Sequence, residues 1–325
     1  MQTITLARNA MATRFEIVLH GEDPVALRAA GEEALGEIDR LEAQLSLYRP
    51  TSEIAHLNAR AARAPVRVTP GLLRLLQHAR QLSLGTDGAF DITIAPLVRC
   101  WGFMGGTGQL PNPDEVTEAR ASIGMHLVEL DAENFTVRFA REGVMLDLGA
   151  IGKGYALERA AESLRELGIT SALLNGGTST IYAIGHPPEK EHWKIAIEAP
   201  PTATVGHPPA LLATVPLRDE ALSVSAVWGR SFQSAGQTFG HVLDPRTGQP
   251  VSGTMLAAVI LPSAMETDAL STALLVVGAA GHEALARVRP ELRSLVVTQD
   301  ASEKGFHLTS RGIPTQSQPP TPANS

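Results

Sequence analysis

Cysteine is almost missing from this 325-residue chain. The single thiol, Cys100, excludes any disulfide within the molecule. Lying between Arg99 and Trp101, it reads as a packed thiol rather than a nucleophile. A basic surplus is missing too. Lys and Arg total 27 against 34 Asp and Glu, a formal net charge of −7. With no basic stripe either, the chain does not read as a nucleic-acid binder. Any phosphate it holds must be met locally, by backbone N–H groups and a few cations. No apolar run reaches the roughly 18 residues that a spanning helix needs, so no membrane segment is expected. The opening stretch MQTITLARNAMATRFEIVLHG alternates as a strand does. It shows no charged-then-apolar leader pattern and no early cysteine for a lipid, so the cytoplasm is the expected compartment. There is no HExxH or similar spacing to hold zinc, and no internal repeat.

What remains is an ordinary globular composition, 44% hydrophobic, enough for a sizeable core. Phe15, Ile17 and Leu19 share one face of a strand. Asp23 opens a long helical pattern, Ser52 caps a short one, and Pro70 to Leu84 reads as a third helix. Between residues 126 and 149 two or three strands are expected. Pro200 to Pro209 reads as a loop, and Gly312 to Ser325, rich in Pro, Ser, Thr and Gln, as a disordered tail. Helices and strands come in mixed order rather than in strict βαβ alternation. The expected class is therefore α+β, with mixed or antiparallel sheets and packed helices, in one domain over residues 1–311 or two intimately packed lobes.

Four stretches carry possible chemistry. MLDLGAIGKG, from Met145, reads as a short buried strand and a glycine turn running into an amphipathic helix. Such a junction sets backbone N–H groups of Gly149, Gly152 and Gly154 and a helix N-terminus against an anion, with Lys153 adding a point charge. It is not a Walker loop, because Asp147 and Gly154 stand where Gly and Ser or Thr are needed; nor is it a Rossmann fingerprint. A plain tight turn is the alternative. METDALSTALLVVG, from Met265, sets Asp268 and Thr272 four apart on one helix face, as two hard oxygen ligands or as a helix cap with a back-bonded threonine. HVLDPRTGQPV combines His241, Asp244 and Arg246, as a base beside a phosphoryl centre or as a hairpin turn. GAFDITIAPLVRCWGF offers Trp101 as an aromatic wall and Asp91 as a residue fixing a neighbouring loop, or else it is core.

Together these pieces resemble the FAD:protein FMN transferase, or ApbE-like, family from about Met11 to Gly278. The motifs read here as MATRFEI, LSLYRPTSEIAHLN, GAFDITIAPLVRCWGF, LDLGAIGKGYALE, LLNGG, HVLDPRTGQPV and TDALSTALLVVG. The resemblance implies an ApbE-like fold that binds FAD as substrate together with Mg²⁺. It implies transfer of FMN to a threonine hydroxyl of an acceptor flavoprotein carrying a threonine motif, with release of AMP. Mg²⁺-dependent hydrolysis of FAD to FMN and AMP, and an inactive FAD-binding protein, are the alternatives. The family's magnesium ligands fall on Asp268, Thr272 and a backbone carbonyl around Ala150 to Gly152. Its histidine falls on His241 and its lysine on Lys153. His241 and Asp244 remain alternatives for the base. Met11, Tyr48, Ser52, Asn58, Asp91, Trp101, Gly176, Gly177, Ser225 and Trp228 are expected around the flavin and nucleotide. The chain departs from the family at Ala226, Val227 and Trp228, which follow a retained Ser225, at Thr178 after LLNGG, and at Glu158. Those departures are expected to border the nucleotide site.

Overall fold

A computed structural model describes residues 1–201, 210–234, 236–300 and 305–315. Most of the expected loop at 200–209, and the last ten residues of the expected tail, lie outside the described residues.

The alternating N-terminus is two strands rather than one. β1 (Gln2–Ala10) and β2 (Thr13–Gly21) pair antiparallel about a turn at Met11 and Ala12. Both turn residues have positive φ, 50° and 58°. Two-residue hairpin turns of this hand usually advertise themselves with Gly or Asn, and this one does not. Asp23 caps α1 (Pro24–Leu45), accepting the N–H groups of Val25 and Ala26. Ser52 caps α2 (Glu53–Arg60), and Thr69 caps α3 (Pro70–Gly85), which follows the two-residue β3 (Val66–Arg67). α4 (Ala95–Cys100) and α5 (Pro113–Arg120) come next, then β4 (Val128–Asp131) and β5 (Thr136–Phe139), which join β3 in a small sheet.

The strand expected just before the glycine turn does not form. Residues 144–148 have no regular secondary structure and no strand partner. The Asn58 side chain takes the place of one. Its Oδ1 accepts the Leu146 N–H at 2.8 Å, and its Nδ2 donates to the Leu146 carbonyl at 3.0 Å. The Asp147 N–H goes to the Ile92 carbonyl at 2.7 Å.

Beyond that turn come α6 (Gly152–Glu166), β6 (Ala172–Gly176), β7 (Thr180–Ile184), β8 (Trp193–Glu198), β9 (Leu211–Leu217) and β10 (Ala221–Ala226). A hairpin of β11 (Ser231–Ser234) and β12 (Gln237–Gly240) precedes β13 (Thr254–Leu261), α7 (Ala264–Val277), α8 (Gly281–Val288), β14 (Arg293–Gln299) and β15 (Phe306–Arg311). The main sheet runs β1-β2-β6-β7-β10-β13-β14-β15, and every neighbouring pair in it is antiparallel. The fold is α+β.

Both faces of this sheet are covered. Successive residues of a strand point to opposite faces. In β13, Ala257, Val259 and Leu261 join the core beneath α1, α6 and α7, while Leu256, Ala258 and Ile260 join a second core beneath the β8–β9 ribbon. That explains why AAVIL is apolar throughout instead of alternating. Residues Ala264–Val288 pass for a membrane span by length and hydropathy. They form two helices broken at Gly278 (φ 68°), and α7 buries Thr267, Asp268, Ala269, Leu270, Ser271, Ala273, Leu274 and Leu275. A helix apolar on all sides is what a position between a sheet and other helices selects. At the other end, the expected tail starts later than Gly312, since Ile313 is 4% exposed and packs into the second core.

Candidate active site

The described residues enclose a cavity of about 1280 Å³ at one end of the main sheet. Its lining can be sorted by chemistry and by the segments that supply it. Ala196, Ile197, Val224, Leu256 and Phe306 form an apolar group from the sheet and the β8–β9 ribbon. Phe90, Ile92, Ile94 and Phe103 form a second. Asp147, Gly149, Lys153, Asp268, Thr272 and His241 are the polar group. The volume exceeds the range usual for drug-sized ligands and suits a longer molecule.

The glycine turn works differently from the expected cradle. The Gly149 N–H goes to Asp147 Oδ1 at 2.8 Å, and the Gly152 N–H to the Leu148 carbonyl at 2.7 Å. The Gly154 N–H goes to Asp268 Oδ2 at 3.0 Å. Those three N–H groups are therefore spent within the protein, and the positive end of α6 faces the Asp268 carboxylate. Gly154 and Gly152 lie behind the cavity wall rather than in it. Glycine at 154 answers a close approach: a Cβ there would stand 2.1 Å from the Ala264 carbonyl oxygen. Gly149 and Ala150 do line the cavity.

Lys153 reaches forward. Its Nζ donates to the Gly149 carbonyl at 3.3 Å and lies 3.7 Å from Asp268 Oδ1. Asp268 is only 4% exposed, and Thr180 Oγ1 donates to its Oδ1 at 3.4 Å. Thr272 Oγ1 donates to the Asp268 carbonyl at 3.3 Å and meets Ser225 Oγ at 3.1 Å. The back-bond expected of Thr272 thus coexists with its place in the cavity wall. Among the described residues no three His, Cys, Asp or Glu side chains converge. A cation here would therefore rely on one carboxylate and neutral oxygens. Hard oxygens of that kind, few in number, suit a divalent cation that keeps several waters.

His241 follows β12 and stands edge-on to Phe103, with ring centroids 6.5 Å apart. Its Nδ1 lies 3.0 Å from the Arg230 carbonyl oxygen. A carbonyl can only accept, so Nδ1 carries the proton and Nε2 keeps its lone pair. Burial pushes the imidazole pKa below its ordinary value, and the charges of Arg230 and Lys153 add to this against the opposing Arg230 carbonyl bond. The ring is held neutral and able to take up a proton. Asp244, the other expected base, is engaged elsewhere. Its Oδ1 accepts the Arg246 N–H and Nε–H, and its Oδ2 accepts Nη2–H, each at 2.9 Å. It holds its own turn and does not line the cavity.

Several expected flavin contacts also have other partners. Trp101 is 2% exposed, with its Nε1–H on the Gly248 carbonyl at 2.8 Å and its ring against Phe239. It is the centre of a small separate core. Ser52 donates to the Ser46 carbonyl at 2.5 Å and caps α2, Asn58 holds Leu146, and Met11 makes the β1–β2 turn with its N–H on Glu42 Oε1. None of these four lines the cavity. Gly176 and Gly177 lie behind it. Gly177 (φ 69°) turns the chain so that Thr178 and Ser179 reach the wall. Asp91 does line the cavity, with both oxygens already accepting: Thr93 on one, Ser83 and the Met125 N–H on the other. Tyr48, 64% exposed, and Trp228, 37% exposed, line it as accessible aromatic rings, and Ser225 lines it through β10. Of the departures, Thr178, Ala226 and Trp228 do border the cavity. Val227 and Glu158 do not: Val227 packs against the main core, and Glu158 reaches the start of α7, where Ser263 Oγ donates to it at 2.5 Å.

Sequence reasoning missed Phe90, Phe103, Ser179 and Asp147 as lining residues. Asp147 had a signal, an acid two residues before a glycine, which forms a local turn on the Gly149 N–H. Burial raises its carboxyl pKa, against the Gly149 N–H and the charge of Lys153.

Known proteins resemble this chain in sequence and in fold. A Haemophilus influenzae protein called FAD:protein FMN transferase is 30% identical over 287 residues, covering 85% of this chain and 81% of its own length. A Treponema pallidum protein of the same name is 30% identical over 309 residues, covering 90% and 84%. The solved apo structure of the Pseudomonas stutzeri flavinyl transferase ApbE superposes with a TM-score of 0.83 at 30% identity, over 96% of this chain and 95% of that one. The ApbE protein of Thermotoga maritima gives a TM-score of 0.85 at 27% identity, over 96% and 97%. The ApbE family model matches residues 11–296, and this chain belongs to the ApbE family.

Proposed function

We propose that this chain is an FAD:protein FMN transferase that uses Mg²⁺ and a threonine hydroxyl of an acceptor flavoprotein. The observation that carries the reading is the convergence of His241, Lys153, Asp268 and Thr272 in one cavity that also has apolar lining residues. FAD has the same make-up: two flat ring systems joined through a pyrophosphate. Its relatives' names supply the activity.

In this reading the threonine oxygen attacks the phosphorus of the FMN half. A P–O bond forms to threonine, the bond to the bridging oxygen breaks, and AMP leaves with that electron pair. The threonine proton goes to His241 Nε2, the free nitrogen of a ring whose other nitrogen is tied to Arg230. Lys153 places its ammonium against the phosphates and holds them in line. Asp268, Thr272 and a carbonyl of the glycine turn would hold the magnesium. Bound there, it would supply charge neutralisation on the AMP leaving group. Phe90 and Phe103 offer apolar surface to one ring system, and Ile197, Val224 and Leu256 to the other.

The test is AMP release from FAD and Mg²⁺ with and without an acceptor protein carrying the threonine motif. Acceptor-dependent AMP release is expected. AMP and free FMN without an acceptor would make the protein a hydrolase, and no AMP in either case would leave a flavin-binding protein.

A further inference from the structure

α6 and α7 carry Lys153, Asp268 and Thr272, and they touch at two levels. At the first, the Gly154 N–H donates to Asp268 Oδ2 at 3.0 Å, and Gly154 packs on the Ala264 carbonyl. Glu158 lies one turn further along α6 on the same face. Its Oε2 accepts the Ser263 hydroxyl at 2.5 Å and the Met265 N–H at 3.1 Å. Ser263 is the N-cap of α7 and accepts the Glu266 N–H at 3.2 Å. Giving its proton to Glu158 fixes the Ser263 rotor so that a lone pair faces Glu266. One carboxylate oxygen therefore satisfies an orphan N–H of α7 directly, orients the residue that satisfies a second, and adds negative charge at the helix N-terminus.

We propose that Glu158 is a positioning residue for the cation site: it locks the start of α7 against α6 and thereby fixes the Asp268 carboxylate. The proposal rests on reading Asp268 and Thr272 as cation ligands. Other ties at the start of α7 run elsewhere, and Ser223 on β10 donates to Thr267 Oγ1 at 2.8 Å. Glu266 binds Arg289, just beyond α8, and His78 on α3. It holds α7 in the fold without setting its register on α6. Asp268 lies one turn after Ala264, so a slide or rotation of the first turn of α7 along α6 moves its carboxylate directly.

The test uses the full chain and Mn²⁺ as the probe, titrated without FAD and followed by the EPR signal of the free ion. Thermal unfolding and FAD affinity in EDTA are measured alongside. Glu158→Ala is expected to weaken Mn²⁺ binding about tenfold or more, the range found for groups that orient metal ligands, with FAD affinity in EDTA unchanged. Glu158→Gln keeps an oxygen that accepts from Ser263 and Met265, and is expected to restore most of the affinity. Wild-type Mn²⁺ affinity in Glu158→Ala, whatever its unfolding temperature, would overturn the proposal. Should that variant not fold, Glu158→Asp decides: its shorter side chain is expected to weaken Mn²⁺, and unchanged affinity overturns the idea. Asp268→Asn separates the readings. If it binds Mn²⁺ as wild type does, the ligand assignment and this proposal fall together; if it loses Mn²⁺ while Glu158→Ala does not, only this proposal falls.

Discussion

His241 Nδ1 lies 3.0 Å from the Arg230 carbonyl oxygen, a contact that leaves Nε2 as the ring's only proton acceptor. The same residue pair is joined by the backbone, since the His241 N–H also donates to the Arg230 carbonyl at 3.0 Å. One carbonyl thereby fixes both the position of the residue and the tautomer of its ring. Removing the ring as base is expected to slow FMN transfer by about 10²–10⁴-fold, the usual worth of a general base. FAD affinity in His241→Ala should change little. Stopped transfer together with lost FAD binding would make His241 a binding group.

The pH profile follows from the same burial. The His241 pKa is depressed, so the base stays neutral at pH values where an exposed histidine is already protonated. Transfer is therefore expected to hold through pH 6.5 and to decline only at lower pH. A limb centred at or above the ordinary histidine value would contradict the account of the site.

Gly154→Ala should damage two things at once. The added methyl meets the Ala264 carbonyl at 2.1 Å and Asp268 Cβ at 2.7 Å. α6 must then back away from α7, at a cost of about 1–3 kcal/mol for overpacking. Cation-dependent turnover should fall along with the unfolding temperature. An alanine variant with wild-type stability and activity would show that the two helices do not touch as described.

Asn58 is expected to matter for stability rather than for flavin contact. Asn58→Leu leaves both backbone groups of the buried Leu146 unpaired. Each orphaned group costs about 1–3 kcal/mol. Denaturant unfolding should register that loss. A variant with unchanged stability but weakened FAD binding would return Asn58 to the flavin pocket.

Glu266 offers a test of the tie between α7, α8 and α3. Hydrogen bonds from His78 and Arg289 and the charge of Arg289 outweigh burial and hold its carboxyl at about 2, below the ordinary 4.5. The sign is that of a depressed acid. The stabilisation is fully present above pH 4.5 and is lost as pH falls toward 2. Arg289→Met should weaken that acid-limb dependence, with His78 still beside the carboxylate, and cost about 1–3 kcal/mol. An unchanged acid unfolding curve in Arg289→Met would show that the pair does not carry the shift.

Much of the fold was legible because local chemistry wrote it. Asp23, Ser52 and Pro70 mark helix starts, and the apolar run of β13 marks a strand covered on both faces. The family motifs pointed to His241, Lys153, Asp268 and Thr272, and all four line one cavity. What stayed hidden depends on partners distant in sequence. Asn58 meets Leu146 across 88 positions, and Trp101 meets Gly248 across 147. Sequence order says nothing of such pairings, so conspicuous polar and aromatic residues read as flavin contacts although their partners in the structure are scaffold groups. The Met11–Ala12 turn escaped because its residues lack the usual turn chemistry. The glycine turn lines the cavity through Gly149 and Ala150, but the α6 N-terminus meets the Asp268 carboxylate.

The most direct measurement incubates purified protein with FAD, Mg²⁺ and an acceptor flavoprotein, then looks for flavin fluorescence on the denatured acceptor band while AMP is quantified. The account predicts a fluorescent acceptor and matching AMP with the wild-type enzyme. It predicts neither in EDTA or with the acceptor threonine replaced by alanine, and a strongly slowed appearance of both with His241→Ala. An unlabelled acceptor beside free FMN and AMP, or labelling that persists without the acceptor threonine, would contradict it.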